Sequence, residues 1–194
     1  MTRRRLQTIT ILVTLLPALG LGLRFAIEGP GPNPVEDLTH VTGEWALRFL
    51  LLSLAVTPAR RFLGWQWAQP LRRTLGLAAF GYAAAHLATW SIFDLGLDLA
   101  AILEDVLERP YVTAGMAAFV ILLALAITST RGWIRRLGAR WVSLHRAVYA
   151  AGALAVLHHF WLVKADYRPA IVHGVLLAGL LGARLVWARR ARAA

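Results

Sequence analysis

The chain has no cysteine among its 194 residues. This absence excludes disulfide bonds, thiolate metal sites, iron–sulfur clusters and haem attached through thioether bonds. A metal bound by this protein must therefore use histidine, with the thioethers of Met1 and Met116 as the only sulfur alternatives.

Acidic residues are also scarce. Ten Asp and Glu stand against twenty-one Lys and Arg, which leaves a net charge of +11, while 58% of the residues are hydrophobic and the mean hydropathy is +0.59. A soluble domain of this length cannot bury so much apolar surface, and a disordered basic tail would need low hydrophobicity. A nucleic-acid-binding module would not contain such long apolar runs, so the composition indicates a polytopic membrane protein.

Six apolar runs have nearly the length of about 20 residues that a helix needs to cross a bilayer. Short segments rich in glycine, proline or charge separate them. The runs leave no room for a second folded domain, so we expect one domain over residues 1–194, an all-α bundle of six transmembrane helices. The expected spans are Leu6 to Ile27, Trp45 to Leu63, Leu71 to Phe93, Tyr111 to Thr130, Trp141 to Val163 and Ala170 to Ala188.

The distribution of charge predicts the topology through the positive-inside rule. With the N-terminus in the cytoplasm, sixteen of the twenty-one cations fall in inner loops or at inner span ends: Arg3, Arg4, Arg5, Arg60, Arg61, Arg72, Arg73, Arg131, Arg135, Arg136, Arg140, Arg146, Arg184, Arg189, Arg190 and Arg192. All ten acids fall in or beside the outer loops: Glu28, Glu36, Asp37, Glu44, Asp94, Asp98, Glu104, Asp105, Glu108 and Asp166. We therefore expect both termini in the cytoplasm, and the basic charge needs no nucleic-acid partner.

Two outer segments differ in character. The segment from Glu28 to Glu44, which includes His40, contains a Pro/Gly cluster and is expected to be an irregular loop there. The segment from Asp94 to Pro110 alternates leucines with acids and is expected to form an amphipathic helix. That helix would either pack at the membrane interface or dock an outer partner.

No Asp or Glu lies deep in an expected span, whereas five histidines do, and ionisable groups within a bilayer are functional hypotheses by default. His86 is 15 residues past Leu71, and His158 is 17 residues past Trp141, so both lie roughly 22 to 26 Å from the inner boundary at 1.5 Å per residue. Two imidazoles at equal depth on facing helices are what a b-type haem with two axial histidines needs. The span histidines are His86, His145, His158, His159 and His173.

His145 has two interpretations. It lies about 20 Å inward of His158, which suits a ligand of a second, inner haem, or it contacts a different redox group. Around an ideal helix His145 is about 140° from His158 and only about 40° from His159, so helix geometry favours His159 as its stacked partner. A bend near Gly152 would restore His158.

Several stretches, spread in order over nearly the whole chain, resemble the MsrQ (YedZ) family, the haem-binding membrane subunit of the periplasmic methionine-sulfoxide reductase system, which is itself similar to ferric-reductase-like transmembrane domains. They are Gly43-x-Trp45-Ala46-Leu47-Arg48-Phe49, Thr57-Pro58, Arg72-Arg73-x-Leu75-Gly76, Tyr82-x-x-x-His86-Leu87, Arg109-Pro110-Tyr111, Thr128-Ser129-Thr130, Leu144-His145-Arg146-x-Val148-Tyr149 and His158-x-x-Trp161-x-Val163-Lys164.

The resemblance implies an electron-transfer subunit of the bacterial inner membrane that carries one or two b-type haems. It would accept electrons from the quinone pool or a flavin donor and pass them to a periplasmic molybdopterin-containing reductase, without being the catalytic subunit itself. By position, His86 and His158 correspond to the outer haem ligands and His145 to the inner histidine. The family also implies FMN, for which no motif is visible here.

Alternatives remain at this point. The six spans also suit a small transporter, and the amphipathic outer segment suits a non-redox anchor for a periplasmic enzyme. A set of arginines at the inner span ends could hold haem propionates or an FMN phosphate, or could serve only as topology determinants. That set is Arg72, Arg73, Arg140 and Arg146, of which Arg73 and Arg146 are the expected cofactor contacts.

Overall fold

The computed structural model describes residues 3–163 and 165–193, so Met1 and Lys164 lie outside the described residues. The described residues form nine α-helices and no strand. The helices are α1 (Arg3–Glu28), α2 (Pro34–Phe62), α3 (Leu71–Thr89), α4 (Leu99–Glu108), α5 (Pro110–Ile127), α6 (Arg131–Leu137), α7 (Ala139–His145), α8 (Val148–Leu162) and α9 (Arg168–Ala193). A 3₁₀ turn, Gln66–Ala68, precedes α3, which continues into a π-helical turn, Trp90–Asp94.

Four helical segments among the described residues are long and apolar enough to cross a membrane: Arg3–Glu28, Leu71–Asp94, Pro110–Ile127 and Arg168–Trp187. Leu12, Leu16 and Leu19 of α1 are each more than half exposed, as lipid-facing side chains are. Two other expected spans fall on α2 and α8. Helix α2 carries charged residues at both ends of its apolar stretch, and α8 has 15 residues. The chain is therefore an all-helical, multi-pass membrane protein, as its composition predicts.

The bundle is organised around two helix pairs, α2 with α3 and α5 with α8, which pack more extensively than any other pair of helices. Phe49 and Leu50 of α2, Ala79 of α3, Leu122 of α5 and Ala151 of α8 form one buried cluster. Ala79 and Ala151 are fully buried, because small side chains let helix backbones approach closely within a membrane bundle. The two pairs thus share one core.

Arg184 of α9 ties three helices together. Its guanidinium donates to the backbone carbonyl of Leu54 on α2 at 2.8 Å and to the hydroxyl of Tyr149 on α8. The guanidinium carbon also lies 4.8 Å from the centroid of the Tyr149 ring, within the range of a cation–π interaction. One arginine therefore links α9 to both helix pairs.

The expected outer loop from Glu28 to Glu44 is shorter than the sequence pattern indicated. Helix α2 begins at Pro34, because Asn33 accepts a hydrogen bond from the Glu36 amide and proline suits the first helical position. The expectation that His40 lies in a loop is therefore wrong, since His40 lies on the first turns of α2.

The expected continuous helix from Trp141 to Val163 is also wrong. Helix α7 ends at His145 and α8 begins at Val148, with a tight turn at Arg146 and Ala147. The amides of both turn residues bond to carbonyls three residues earlier, at 3.2 and 3.0 Å. Because three-residue turns rotate the chain more per residue than an α-helix does, an ideal-helix rotation between His145 and the later histidines does not apply.

The expected amphipathic helix after Asp94 is confirmed as α4. The Asp98 side chain caps it by accepting from the amides of Ala100 and Ala101. Leu99, Leu103 and Leu107 recur at intervals of four residues and are each more than half exposed, so α4 presents an apolar stripe outside the bundle core.

Candidate functional site

The two helix pairs each direct one histidine toward the same point. His86 of α3 and His158 of α8 have ring centroids 6.1 Å apart, and the planes of the two rings are 80° apart. These are the two residues that the sequence predicts to lie at equal depth in the membrane. The two ring planes are thus nearly perpendicular, and both rings are half-buried.

A backbone carbonyl on the neighbouring helix holds each ring. His86 Nδ1 lies 2.9 Å from the carbonyl oxygen of Thr39 on α2, and His158 Nδ1 lies 2.7 Å from that of Tyr111 on α5. Because a carbonyl oxygen only accepts, both Nδ1 atoms must carry the proton. In a neutral ring the lone pair is then on Nε2, which is the tautomer that metal-ligating histidines adopt.

This arrangement fits a metal whose remaining ligands come from a macrocycle. A metal bound by protein ligands alone needs three or more of them, and the described residues contain no cluster of three or more His, Cys, Asp or Glu that could hold one. A metal–imidazole bond of about 2 Å on each side, with the radius of each ring added, separates the two ring centroids by roughly 6 Å. The separation and the tautomer of His86 and His158 therefore fit two residues that would hold a haem iron between them.

His159, the alternative that ideal-helix geometry favoured, points elsewhere. Its ring packs against that of His173 on α9, with centroids 5.4 Å apart and planes 68° apart. Consecutive residues on a helix differ by about 100° in direction, so His158 and His159 cannot both face His86. The structure brings His158 and not His159 to His86.

His145 lies apart from this pair, at the end of α7. Its Nε2 is 3.1 Å from the Thr128 hydroxyl, and its ring stacks on Trp141 with centroids 3.9 Å apart. The Trp141 indole in turn donates to the Thr128 carbonyl at 2.9 Å. Thr128 therefore fixes both aromatic rings of this second site.

A pocket of about 140 Å³ opens beside His145. Its lining contains two arginines, which gives it positive charge. The lining residues are Arg72, Trp141, Val142, His145, Arg146 and Tyr149. Of the two arginines expected to contact a cofactor, the structure brings Arg146 to this pocket, whereas Arg73 is exposed on α3 and is not part of the lining.

Sequence reasoning missed the groups that hold the histidines. Thr39 and Tyr111 act through their backbone oxygens, which no side-chain pattern reveals. In the sequence Thr128 stands out only as part of a stretch that resembles the family, and Arg72 only as one of four arginines at span ends. The two carbonyls lie on the helices that pack against the helices of His86 and His158, so they can be identified only when it is known which helices pack together.

Comparison with known proteins finds one matching family model and several chains of similar sequence. Residues 42–156 match the family model described as ferric reductase like transmembrane component. The chain is 47% identical over 192 residues to the protein-methionine-sulfoxide reductase heme-binding subunit MsrQ of Rhodospirillum rubrum, an alignment that covers 98% of this chain and 92% of that relative. It is 46% identical over 193 residues to the subunit of the same name from Bordetella pertussis, covering 98% and 94% of the two chains. The subunit of the same name from Herminiimonas arsenicoxydans is 44% identical over 190 residues, covering 96% and 87%.

Proposed function

Because this chain belongs to the MsrQ family of haem-binding subunits, within the ferric reductase-like transmembrane components, we propose that it is the membrane electron-transfer subunit of a protein-methionine-sulfoxide reductase system. The observation that carries this proposal is the pair of facing imidazoles, His86 and His158, whose separation and tautomer suit one haem iron.

His86 and His158 are the residues that would hold the iron of a b-type haem. A haem held there would supply one-electron transfer through its iron. The carbonyls of Thr39 and Tyr111 accept the Nδ1 protons, which fixes the orientation of each ring and raises the basicity of each Nε2. Both rings stand on helices held by a common core, so the ligand geometry is built into the scaffold.

The pocket beside His145 is the proposed place of a second cofactor, either a second haem or the FMN that the family resemblance implies. His145 would supply an aromatic ring or a ligand nitrogen, and the two arginines would pair with propionate or phosphate groups. Because Arg73 stands outside the pocket, Arg72 replaces it beside Arg146 in this role.

We place the chain in a bacterial inner membrane with six spans and both termini in the cytoplasm. Helix α2 has 29 residues, about 44 Å at 1.5 Å per residue, which exceeds the hydrocarbon thickness of a bilayer. Helix α8 follows α7 with only a two-residue turn between them, so the two helices together form the fifth crossing. This topology assigns sixteen of the twenty-one cations to the cytoplasmic side and puts the His86–His158 pair in the outer half of the membrane.

The proposed electron donor is the quinone pool or a reduced flavin, and the proposed acceptor is a periplasmic molybdopterin-containing reductase. The chain would carry electrons across the membrane and would not itself form bonds to the substrate. In this reading the reductase, and not this subunit, repairs oxidised methionines in periplasmic proteins.

The test uses the purified full chain in lipid vesicles. Menadiol and reduced FMN are added separately as donors while the haem Soret band is followed. We expect one of them to reduce the haem, and addition of the purified partner reductase with a methionine-sulfoxide peptide to reoxidise it. Vesicles with the His86→Ala or His158→Ala chain should give neither change.

A wild-type chain that purifies without haem would overturn the proposal. So would a reduced haem that remains reduced in the presence of reductase and peptide. Solute flux through haem-free vesicles would favour a transporter, and normal turnover of the reductase with a haem-less variant would favour a non-redox anchor.

A further inference from the structure

The surroundings of the two facing histidines are duplicated within the chain. Thr39, Gly43 and His86 have counterparts in Tyr111, Gly115 and His158, each 72 positions later. In both sets the carbonyl that accepts the Nδ1 proton stands 47 residues before the histidine. The same register therefore holds both imidazoles.

The duplication extends into the core. Leu50 of α2 and Leu122 of α5 differ by the same 72 positions, as do Ala79 of α3 and Ala151 of α8, and all four belong to one buried cluster. The pairs α2–α3 and α5–α8 are also the two most extensive helix contacts. The two pairs are thus two copies of one helix-pair unit that meet around His86 and His158.

Each unit has a glycine where its histidine touches the neighbouring helix. A Cβ on Gly43 would lie 2.9 Å from His86 Nδ1 and 3.0 Å from its Cε1, and a Cβ on Gly115 would lie 2.8 Å from His158 Nδ1 and 3.0 Å from its Cε1. Real Cβ atoms essentially never make contacts shorter than 3.0 Å. Only glycine therefore permits these two approaches without a movement of the ring.

Hydrogen bonds prevent the two imidazole rings from moving away from a methyl group at these positions. Each glycine stands four residues after the carbonyl that holds the same ring, so the ring edge that meets the glycine includes the hydrogen-bonded Nδ1. A displacement that relieves the contact would lengthen or break that hydrogen bond and would turn Nε2 away from its direction.

We infer that Gly43 and Gly115 are positioning residues, which set the direction of His86 and His158 by bringing a helix backbone against each imidazole. This inference rests on the proposed function, because direction matters only if both rings bind one iron. The two glycines are equivalent, so loss of either one should disturb the same bis-histidine centre.

The experiment compares Gly43→Ala and Gly115→Ala with Gly81→Ala in the purified full chain. Gly81 is a matched control, since it lies on the same helix as His86 and a Cβ there would meet no atom within 4 Å. The readouts are haem per polypeptide, the low-spin electron paramagnetic resonance signal and the reduction potential. We expect both test variants to retain haem roughly tenfold less well, as supporting-residue changes at metal sites do, or to show a shifted low-spin signal and potential. The control should match the wild type.

Wild-type haem content, signal and potential in both test variants would overturn the inference. If either alanine chain aggregates, the double variants Gly43→Ala/His86→Ala and Gly115→Ala/His158→Ala remove the ring that the methyl would meet. Recovery of a monodisperse elution profile supports the contact with the ring, whereas continued aggregation contradicts it. A wild-type chain without haem would instead refute the proposed function, so the two failures are distinguishable.

Discussion

His159 packs against His173, with ring centroids 5.4 Å apart, while its chain neighbour His158 faces His86. Nε2 of His159 is buried and has no hydrogen-bond partner among the described residues. A buried polar group left unsatisfied costs about 1–3 kcal/mol, so this second pair does not contribute the stability that a satisfied pair would. The two adjacent histidines of α8 therefore have different roles.

Replacement of His159 by leucine should leave the haem spectrum intact, because His159 does not face His86. We also expect no loss of thermal stability, since the change removes an unpartnered buried nitrogen and supplies apolar volume. Haem quantitation and a thermal unfolding curve in detergent measure both effects. The matched variant is His158→Leu, which should lose the haem. The reverse outcome, haem lost from His159→Leu and kept in His158→Leu, would reassign the ligand.

Removal of the arginines beside His145 should selectively weaken binding of the proposed second cofactor. Arg72→Ala and Arg146→Ala each delete a charged donor from the pocket, and a hydrogen bond to a charged group contributes about 1.5–3 kcal/mol, or roughly tenfold or more in affinity. Arg73→Ala is the matched control, because Arg73 is exposed and outside the lining. Flavin fluorescence after release and haem per polypeptide measure the loss. Equal losses in all three variants would indicate that the total positive charge at this side of the membrane, and not contact with the pocket, affects cofactor binding.

Substitution of Arg184 by leucine should destabilise the bundle by about 1–3 kcal/mol, because the carbonyl of Leu54 and the hydroxyl of Tyr149 both lose their donor. Tyr149→Phe should cost less, since the guanidinium keeps its bond to Leu54 and its position over the ring. The midpoint of thermal unfolding in detergent gives the comparison. Identical midpoints for the wild type and Arg184→Leu would show that this link contributes nothing.

The natural absence of cysteine makes the topology directly measurable. Single cysteines at Gly31 and Glu108 should react with a membrane-impermeant maleimide added outside intact cells with a permeabilised outer membrane. Cysteines at Gln69 and Arg136 should react only after the inner membrane is opened. External labelling at Gln69 would mean that α2 does not cross the membrane, and would reduce the number of spans.

The class of fold could be predicted because it follows from the length of the apolar runs. The pairing of His86 with His158 was predicted from equal depth together with the family resemblance, which favoured His158 over His159 against the ideal-helix argument. Residue count at 1.5 Å per residue placed His86 and His158 at one level, although the continuous helix that it assumed from Trp141 is interrupted at Arg146 and Ala147. The start of α2 was also readable, since Asn33 and Pro34 are helix-start residues, but the preceding glycines and prolines obscured it.

Other features depend on contacts between helices and carry no local signal. The turn at Arg146 and Ala147 interrupts a stretch, residues 139–151, that contains no glycine or proline, so the sequence there reads as one helix. Arg72 and Arg73 are neighbours in sequence and differ by about 100° in direction, and only the packing of α3 decides which one reaches His145. The spacing of 43 residues from Gly43 to His86 and from Gly115 to His158 was visible in principle, but it has meaning only once α2 is known to pack on α3 and α5 on α8.

The proposed haem ligation is tested most directly by the low-spin haem signal of the purified chain, measured by electron paramagnetic resonance together with haem per polypeptide. We expect a bis-histidine signal in the wild type and in a His40→Ala control, and loss of that signal in both His86→Ala and His158→Ala. Retention of the wild-type signal by both variants would show that these two histidines do not bind the haem.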